Sequence, residues 1–155
     1  MTEQRSGDRD DWLARMPQVA AEVMENTAFS EVRQAPDEPR YDQQAGAVSL
    51  EVLEPTGGQF SLLIDRGLLT SLTRLVYALP DEEITPAMAD DLLAELLNTI
   101  AGRFLAEVLP PEQGFSLGIP RIEPGPGPAP PCPALRWDLT VDNLPFTLLF
   151  CHSSP

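Results

Sequence analysis

Residues 85–108 read TPAMADDLLAELLNTIAGRFLAEV and form the longest helical pattern in the chain. Thr85 is a good N-cap residue, and Pro86 suits the first helical position, where its missing N–H costs no hydrogen bond. Pro110-Pro111 ends the pattern, because proline cannot continue a helix. The stretch therefore predicts one long helix.

Plotted at about 100° per residue, this helix separates into two faces. The predicted core face consists of Leu92, Leu93, Leu96, Leu97, Ile100, Phe104 and Val108. Glu95, Asn98 and Gly102 fall on the opposite flank, within an arc of about 60°, and Asp91 lies one turn before Glu95. Because residues three apart on a helix are surface neighbours, Glu95 and Asn98 lie side by side.

Two residues of this flank are unfavourable inside a helix. Glycine costs about 0.5–1 kcal/mol relative to alanine, and the asparagine side chain competes for backbone hydrogen bonds. Their presence favours a functional site, in which Gly102 leaves room for the backbone of another molecule. A carboxylate and a carboxamide presented together can bind a cation and orient a water molecule. The alternative is a solvated helix face without chemistry.

The composition restricts the possible functions. A chain of 155 residues with 43% apolar content fits one globular domain with a substantial core. Its formal net charge of -14 disfavours binding to nucleic acid or to anionic membranes, because like charges repel. No apolar run reaches the roughly 18–20 residues that span a bilayer, and the polar N-terminus lacks a signal-peptide pattern. We therefore expect a cytoplasmic protein without membrane insertion.

The chain contains two cysteines, Cys132 and Cys151, and one histidine, His152. These residues lack the spacing and the fourth ligand of a zinc site. We expect two reduced thiols and a histidine without a catalytic role. The sequence also lacks the glycine-rich loops that bind nucleotides. We therefore expect that the chain has no cofactor or metal of its own.

The predicted domain organisation is a disordered tail over residues 1–10 and a single domain over residues 11–155. A helical pattern begins at Asp11, but Pro17 interrupts it. We therefore predict a separate turn over residues 11–16, followed by a helix over residues 17–26.

Further patterns predict a mixed domain. Strands are predicted over residues 47–53, 59–64, 115–119, 135–141 and 145–151, and loops over residues 33–46 and 124–133. A helix is predicted over residues 66–79, capped by Asp65, with Leu68, Leu69, Leu72, Leu75, Val76 and Leu79 on its apolar side. Asp142-Asn143 is typical of a hairpin turn. The order of elements predicts an α+β domain with helices packed on a largely antiparallel sheet.

The stretch from Glu95 to Gly102 resembles the E-x-x-N-x-[IV]-x-G signature of the CheC/CheX/FliY family of chemotaxis phosphatases. The order of elements is similar as well, and residues 118–122 (GIPRI) look like the family's L-P segment after the signature helix. The resemblance covers residues 17–152, and the signature helix is its sharpest part. It implies a CheC-like α+β fold.

The resemblance also implies a function, which is dephosphorylation of a phosphorylated CheY-type receiver domain, the response regulator of two-component signalling. Glu95 would be the acid that pairs with a receiver lysine and so fixes docking. Asn98 would orient a water for in-line attack on the aspartyl phosphate. Asp91 and Gly102 would border this binding surface, and Mg²⁺ would come from the receiver.

The family's members differ in how many signatures they carry. CheC-like members have two, whereas CheX-like members have one and tend to form homodimers. The first helix has Glu22 and Asn26, which are four residues apart with no I-x-G after them. The chain therefore resembles CheX, with one site per subunit in a homodimer. It departs from the pattern in Arg103 and in the Pro/Gly-rich residues 124–133.

Two other functions fit the same sequence. The first is a non-catalytic interaction domain that binds a receiver or another signalling protein through the same helix. The second is a dimeric structural domain whose exposed flank has no chemistry. Exposure of both Glu95 and Asn98 would favour the phosphatase, whereas a buried or blocked pair would favour the interaction domain.

Overall fold

The computed structural model describes residues 2–55, 57–126 and 134–152. Within these residues, three α-helices pack on one face of a seven-stranded sheet, which confirms the predicted α+β class. The helices are α1 (Thr2–Ala28), α2 (Arg66–Tyr77) and α3 (Pro86–Val108), and a short 3-10 turn covers Asp81–Glu83. The strands are β1 (Arg33–Gln34), β2 (Gly46–Glu54), β3 (Gly58–Ile64), β4 (Ser116–Leu117), β5 (Arg121–Ile122), β6 (Ala134–Val141) and β7 (Leu144–His152).

The strand order is β1-β6-β7-β3-β2-β4, and β5 also pairs with β2 at the edge of the sheet. All these strand pairs are antiparallel. β2 and β3 form one hairpin, and β6 and β7 form the hairpin predicted at Asp142-Asn143. Asp142 and Asn143 have φ angles of 51° and 67°, as a type I′ hairpin turn requires.

The core lies between the helices and the sheet. Along the four longest strands, alternate side chains point toward the helices and are buried. Aromatic rings join the helices to each other and to the sheet. The centroid of the Phe104 ring on α3 lies 5.1 Å from that of Trp12 on α1 and 5.9 Å from that of Phe60 on β3. This packing fixes α3 against the sheet, and therefore fixes the direction of its outward flank.

The first helix differs from the prediction, because α1 continues through Pro17 without a break. Proline has no N–H to donate to the carbonyl four residues earlier, which belongs to Leu13. Trp137 Nε1 donates to that carbonyl instead, at 3.0 Å, so the carbonyl is not left without a donor. The helix also includes residues 2–10, over which we predicted a disordered tail. The division of the chain into tail and domain stays a prediction.

The second helix begins as predicted but ends earlier. Asp65 caps it by accepting from the Leu68 backbone N–H at 3.0 Å. It ends at Tyr77, because Ala78 adopts a left-handed conformation, φ 55°. Leu75 and Val76, predicted on the apolar side, are 54% and 37% exposed. They share a helix arc with the buried leucines, so the end of α2 extends beyond the elements on which it packs.

Three shorter segments also differ. The strand predicted over residues 115–119 is replaced by β4 and β5, each of two residues, which pair with β2. The loop predicted over residues 33–46 begins with β1, which pairs with β6. Of the loop predicted over residues 124–133, residues 127–133 lie outside the described part of the chain.

Cys151 is disulfide-bonded, which corrects the expectation of two reduced thiols. Sequence spacing cannot reveal such a bond, because pairing depends on which segments the fold brings within a few ångströms of each other. Cys132, the other cysteine of the chain, lies outside the described residues.

Candidate functional site

The long helix α3 has the predicted ends. Thr85 accepts a hydrogen bond from the Met88 backbone N–H at 3.2 Å, and Pro86 occupies the first helical turn. At the other end, the Leu109 N–H donates to the Leu105 carbonyl at 3.0 Å before the two prolines. The helix is therefore terminated on both sides by local sequence, and its faces follow from its phase.

One face of α3 is buried and the opposite flank is open. The buried residues are Ala89, Leu92, Leu93, Leu96, Leu97, Ile100, Ala101, Phe104 and Leu105, while Val108 is half-buried. Asp91, Glu95 and Asn98 are exposed, and Gly102 is partly exposed. A Cβ atom added to Gly102 would meet no heavy atom within 4 Å. All four predicted site residues therefore lie on one open flank, and their roles stay a prediction.

The polar atoms of Glu95 and Asn98 are not used by the fold. Across residues 2–55, 57–126 and 134–152, neither side chain takes part in a side-chain hydrogen bond or an ion pair. The carboxylate can accept hydrogen bonds, and the carboxamide can both donate and accept them. Their Cβ atoms are about 5–6 Å apart, as for any pair three residues apart on a helix. The pair can therefore contact one small group of another molecule together.

The open flank of α3 has different neighbours on its two sides. On one side, Arg103 Nη1 lies 3.9 Å from Glu22 Oε2 of α1. Arg103, a departure from the family pattern, therefore reaches toward α1. Asn98 is about 140° away from Arg103 around the helix, so it lies on the side away from α1. On that side the sheet ends in β5, which contacts α3.

A second polar group lies on the outer face of the sheet, and sequence reasoning missed it. The Tyr41 hydroxyl donates to Thr147 Oγ1 at 2.7 Å, and the Thr147 hydroxyl donates to Asp138 Oδ1 at 2.8 Å. Arg136 Nε donates to both Asp138 oxygens, at 3.0 and 3.1 Å. We call Tyr41, Thr147, Asp138 and Arg136 the outer-face network.

The outer-face network holds the segment after β1 on the sheet. Thr147 is fully buried beneath that segment, and the Ala35 N–H donates to the Asp138 carbonyl at 3.0 Å. Burial raises the pKa of Tyr41 to about 12, which keeps its hydroxyl protonated as a donor. The strand alternation predicts that Asp138 faces away from the core, but no local signal reveals that Tyr41 covers it.

The remaining sequence expectations concern metals, membranes and His152. In the part of the chain that the structure describes, no three His, Cys, Asp or Glu side chains are grouped so that they could hold a metal ion. Among the helices of the same residues, none is long and apolar enough to cross a membrane. His152 is exposed at the end of β7, and its ring lies edge-on to Phe150 at 6.1 Å.

Comparison with solved structures identifies the fold. CheX from Vibrio vulnificus matches with a TM-score of 0.72 at 17% identity, covering 94% of this chain and 98% of that one. A CheC-like superfamily protein from Shewanella sp. PV-4 matches with a TM-score of 0.69 at 16% identity, over 93% and 98% of the two chains. This chain has the CheC/CheX fold.

The CheC/CheX fold is also found in a CheX–CheY–BeF3–Mg²⁺ complex from Borrelia burgdorferi. That structure matches with a TM-score of 0.69 at 13% identity, over 92% of this chain and 98% of that one. Protein-family models and curated protein sequences give no match. The resemblance predicted from the signature helix is therefore confirmed as a shared fold, at identities too low to establish a shared activity.

Proposed function

We propose that this protein is a phosphatase that hydrolyses the aspartyl phosphate of a CheY-type receiver domain in a two-component pathway of the chemotaxis kind. The observation that carries the proposal is the exposed Glu95–Asn98 pair, whose polar atoms have no partner among the described residues. The fold supports it, because the Borrelia burgdorferi CheX of the same fold was crystallised with CheY, BeF3 and Mg²⁺. Beryllofluoride mimics a phosphoryl group.

In the proposed reaction, a water oxygen attacks phosphorus in line with the bond to the receiver aspartate. The P–O bond to the aspartate breaks, the aspartate leaves as a carboxylate, and the phosphate product carries both protons of the water. The Asn98 carboxamide hydrogen-bonds the water and aims its lone pair at phosphorus. Because acyl phosphates are already labile, placement of the water supplies much of the acceleration and no strong base is needed.

Docking is assigned to the acid of the pair. The Glu95 carboxylate pairs with the lysine beside the receiver's phosphoryl group, in a charge-assisted hydrogen bond. Since Asn98 is a surface neighbour on the same rigid helix, fixing Glu95 also fixes the amide. Asp91 and Gly102 extend this surface over about 16 Å of helix. Mg²⁺ belongs to the receiver, where it would offset charge on the phosphoryl oxygens.

The alternative functions are a non-catalytic interaction domain and a structural domain. Exposure of both Glu95 and Asn98 favours the phosphatase over these alternatives, since an interaction surface would not need an amide beside the acid. Glu22, which with Asn26 is the pair on the first helix compared with the signature, lies near Arg103, and no I-x-G follows that pair. This supports one site per subunit, and the CheX-like homodimer stays a prediction.

The test is a dephosphorylation assay on the CheY-type receivers of the same organism. Each receiver is phosphorylated with acetyl phosphate in Mg²⁺, freed of the donor and mixed with the purified protein. We expect release of phosphate from at least one receiver to be about tenfold faster or more than its self-hydrolysis, a lowering of the barrier by about 1.4 kcal/mol or more. Self-hydrolysis rates that stay unchanged for every receiver would contradict the proposal.

A further inference from the structure

Two isoleucines are exposed at the sheet edge that borders the Glu95–Asn98 pair. Ile119, between β4 and β5, has 90% of its surface exposed, and Ile122 on β5 has 39%. No other large apolar side chain in the described residues is more exposed than Ile119. Single exposed apolar residues are common, but two on one short segment beside a candidate site are a feature to be explained.

The pairing of β5 with β2 determines the direction of Ile122. Ile122 is the cross-strand partner of Val48, and directly paired residues of an antiparallel ladder project to the same face of the sheet. Val48 is buried under the helices. Ile122 therefore projects to the helix side of the sheet, next to α3, which β5 contacts.

Two contacts align β2 with α3 along their length. A Cβ atom added to Gly46 would lie 3.2 Å from Leu93 Cδ2. Further along, Phe60 is the cross-strand partner of Leu50, and its ring centroid lies 5.9 Å from that of Phe104. The stretch of β2 from Gly46 to Leu50 therefore runs alongside the stretch of α3 from Leu93 to Phe104.

This alignment shows which residues of α3 lie level with the two isoleucines along the helix axis. Val48 is midway between Gly46 and Leu50, so its partner Ile122 is level with the middle of the α3 stretch, where Asn98 lies. Ile119 lies further toward the end of α3, near the level of Phe104, because the Gly118 N–H donates to the Glu51 carbonyl at 2.8 Å. The two isoleucines therefore follow the open flank on the side toward which Asn98 projects.

We propose that Ile119 and Ile122 form an apolar rim of the docking surface, which packs on an apolar patch of the phosphorylated receiver beside its active site. This inference rests on the proposed function. The phosphorylated site of a receiver is rich in negative charge, and this chain has a net charge of -14 with Asp91 and Glu95 on the flank. Long-range attraction therefore does little to bring the two proteins together.

Short-range burial of apolar surface is the force that can offset this repulsion. The ion pair between Glu95 and the receiver lysine supplies one local attraction, which acts on that lysine alone. An apolar rim beside it excludes water from that pair and strengthens it, as apolar surroundings do at other interfaces. A branched side chain such as that of Ile119 also loses little freedom when it packs.

The test compares the double variant Ile119→Ser/Ile122→Ser with the wild type on a receiver that the wild type dephosphorylates. Affinity is measured with that receiver loaded with beryllofluoride and Mg²⁺, and KM and kcat with the phosphorylated form. We expect affinity to fall and KM to rise about tenfold, equivalent to about 1.4 kcal/mol, while kcat is unchanged. Ile119→Ser alone should weaken affinity and raise KM by about threefold. Because the Ile119 side chain is exposed, this variant should fold as the wild type does, and a loss of affinity in it cannot come from misfolding.

The matched control is Phe29→Ser, which removes another exposed apolar side chain, 87% exposed, beyond the end of α1. It should behave as the wild type. Wild-type affinity and KM in the double variant would overturn the rim while leaving the proposed function intact. The proposal would also be overturned if sedimentation gave the double variant a lower assembly mass than the wild type while receiver affinity stayed unchanged. That result would assign the rim to a second copy of the chain. A wild type inactive on every receiver would overturn the proposed function and this inference together.

Discussion

The flank of α3 and the outer-face network are both polar, but they use their polar atoms in opposite ways. In the network, Tyr41, Thr147 and Asp138 are linked to one another, and Thr147 is fully buried. On α3, Glu95 and Asn98 are exposed, without side-chain partners among the described residues. Buried polar groups need partners inside the fold, so the fold accounts for the network. It does not account for an asparagine and a glycine on an exposed helix flank.

The largest expected effect comes from Asn98→Ala. If the amide positions the attacking water, its removal should lower the saturating dephosphorylation rate about 100-fold or more. Affinity for the beryllofluoride-loaded receiver should remain within about twofold of the wild type, because docking belongs to Glu95. Helix content by circular dichroism serves as the folding control. Equal losses of rate and affinity would make Asn98 a docking residue instead.

Glu95→Gln should have the next largest effect, and on affinity rather than on rate. Losing one charge-assisted hydrogen bond to a lysine should weaken receiver binding about tenfold or more. Asp91→Asn on the same flank is the control, because it removes one negative charge one turn away. Equal effects of the two variants would show that net charge matters and not the position of Glu95.

Asp138→Ala should affect stability instead of activity. The variant leaves the buried Thr147 hydroxyl without its acceptor, so the free energy of unfolding in urea should fall by about 2 kcal/mol. The dephosphorylation rate of the folded protein should not change. Asp37→Ala changes an exposed aspartate of the segment after β1, which the network holds on the sheet. It should leave the stability within about 0.5 kcal/mol of the wild type. A large loss of activity in folded Asp138→Ala would contradict the separation of the two regions.

Gly102→Ala should raise stability and lower receiver affinity. Alanine favours helix by about 0.5–1 kcal/mol, and the added Cβ meets no atom within 4 Å. The same Cβ should hinder the approach of the receiver and weaken binding a few-fold. Ala106→Gly, one turn further along α3, should lower stability by a similar amount without weakening binding. Unchanged affinity in Gly102→Ala would mean that no molecule approaches closely there.

The smallest effect concerns the stability of the outer-face network at alkaline pH. Burial raises the pKa of Tyr41 from 10.0 to about 12. The unfolded chain therefore loses the tyrosine proton at a lower pH than the folded protein does, and the free energy of unfolding should fall as pH rises from 10 toward 12.

Tyr41→Phe should remove this part of the slope, whereas Tyr77→Phe on the exposed end of α2 should retain it. The ten basic residues of the chain are all arginines, so lysine titration does not obscure the measurement. Urea unfolding at a series of pH values provides the test. An unchanged slope in Tyr41→Phe would contradict the role of burial.

Features set by neighbouring residues could be predicted from the sequence. Thr85 and Pro86 begin α3 as expected, and the apolar phase of the helix places Glu95 and Asn98 outward. Both follow from local capping and from the helical period. The action of the pair on a receiver does not follow from these local features, because it depends on another protein.

Features set by distant contacts could not be predicted. Pro17 does not break α1, because Trp137, far along the chain, donates to the Leu13 carbonyl. Tyr41 and Thr147 are similarly remote in sequence, and no local pattern links them. Leu75 has the phase of a core residue, yet it is exposed, because the helix period gives a direction and not the presence of a neighbour.

The most direct test compares Asn98→Ala and Tyr41→Phe on one receiver, at saturating concentration and in the same single-turnover experiment. Each variant removes one polar group, the first from the α3 flank and the second from the outer-face network. We predict that Tyr41→Phe removes phosphate at the wild-type rate, whereas with Asn98→Ala the receiver decays at nearly its own self-hydrolysis rate. Equal rates for the two variants, or a slower rate for Tyr41→Phe, would contradict the assignment of the chemistry to α3.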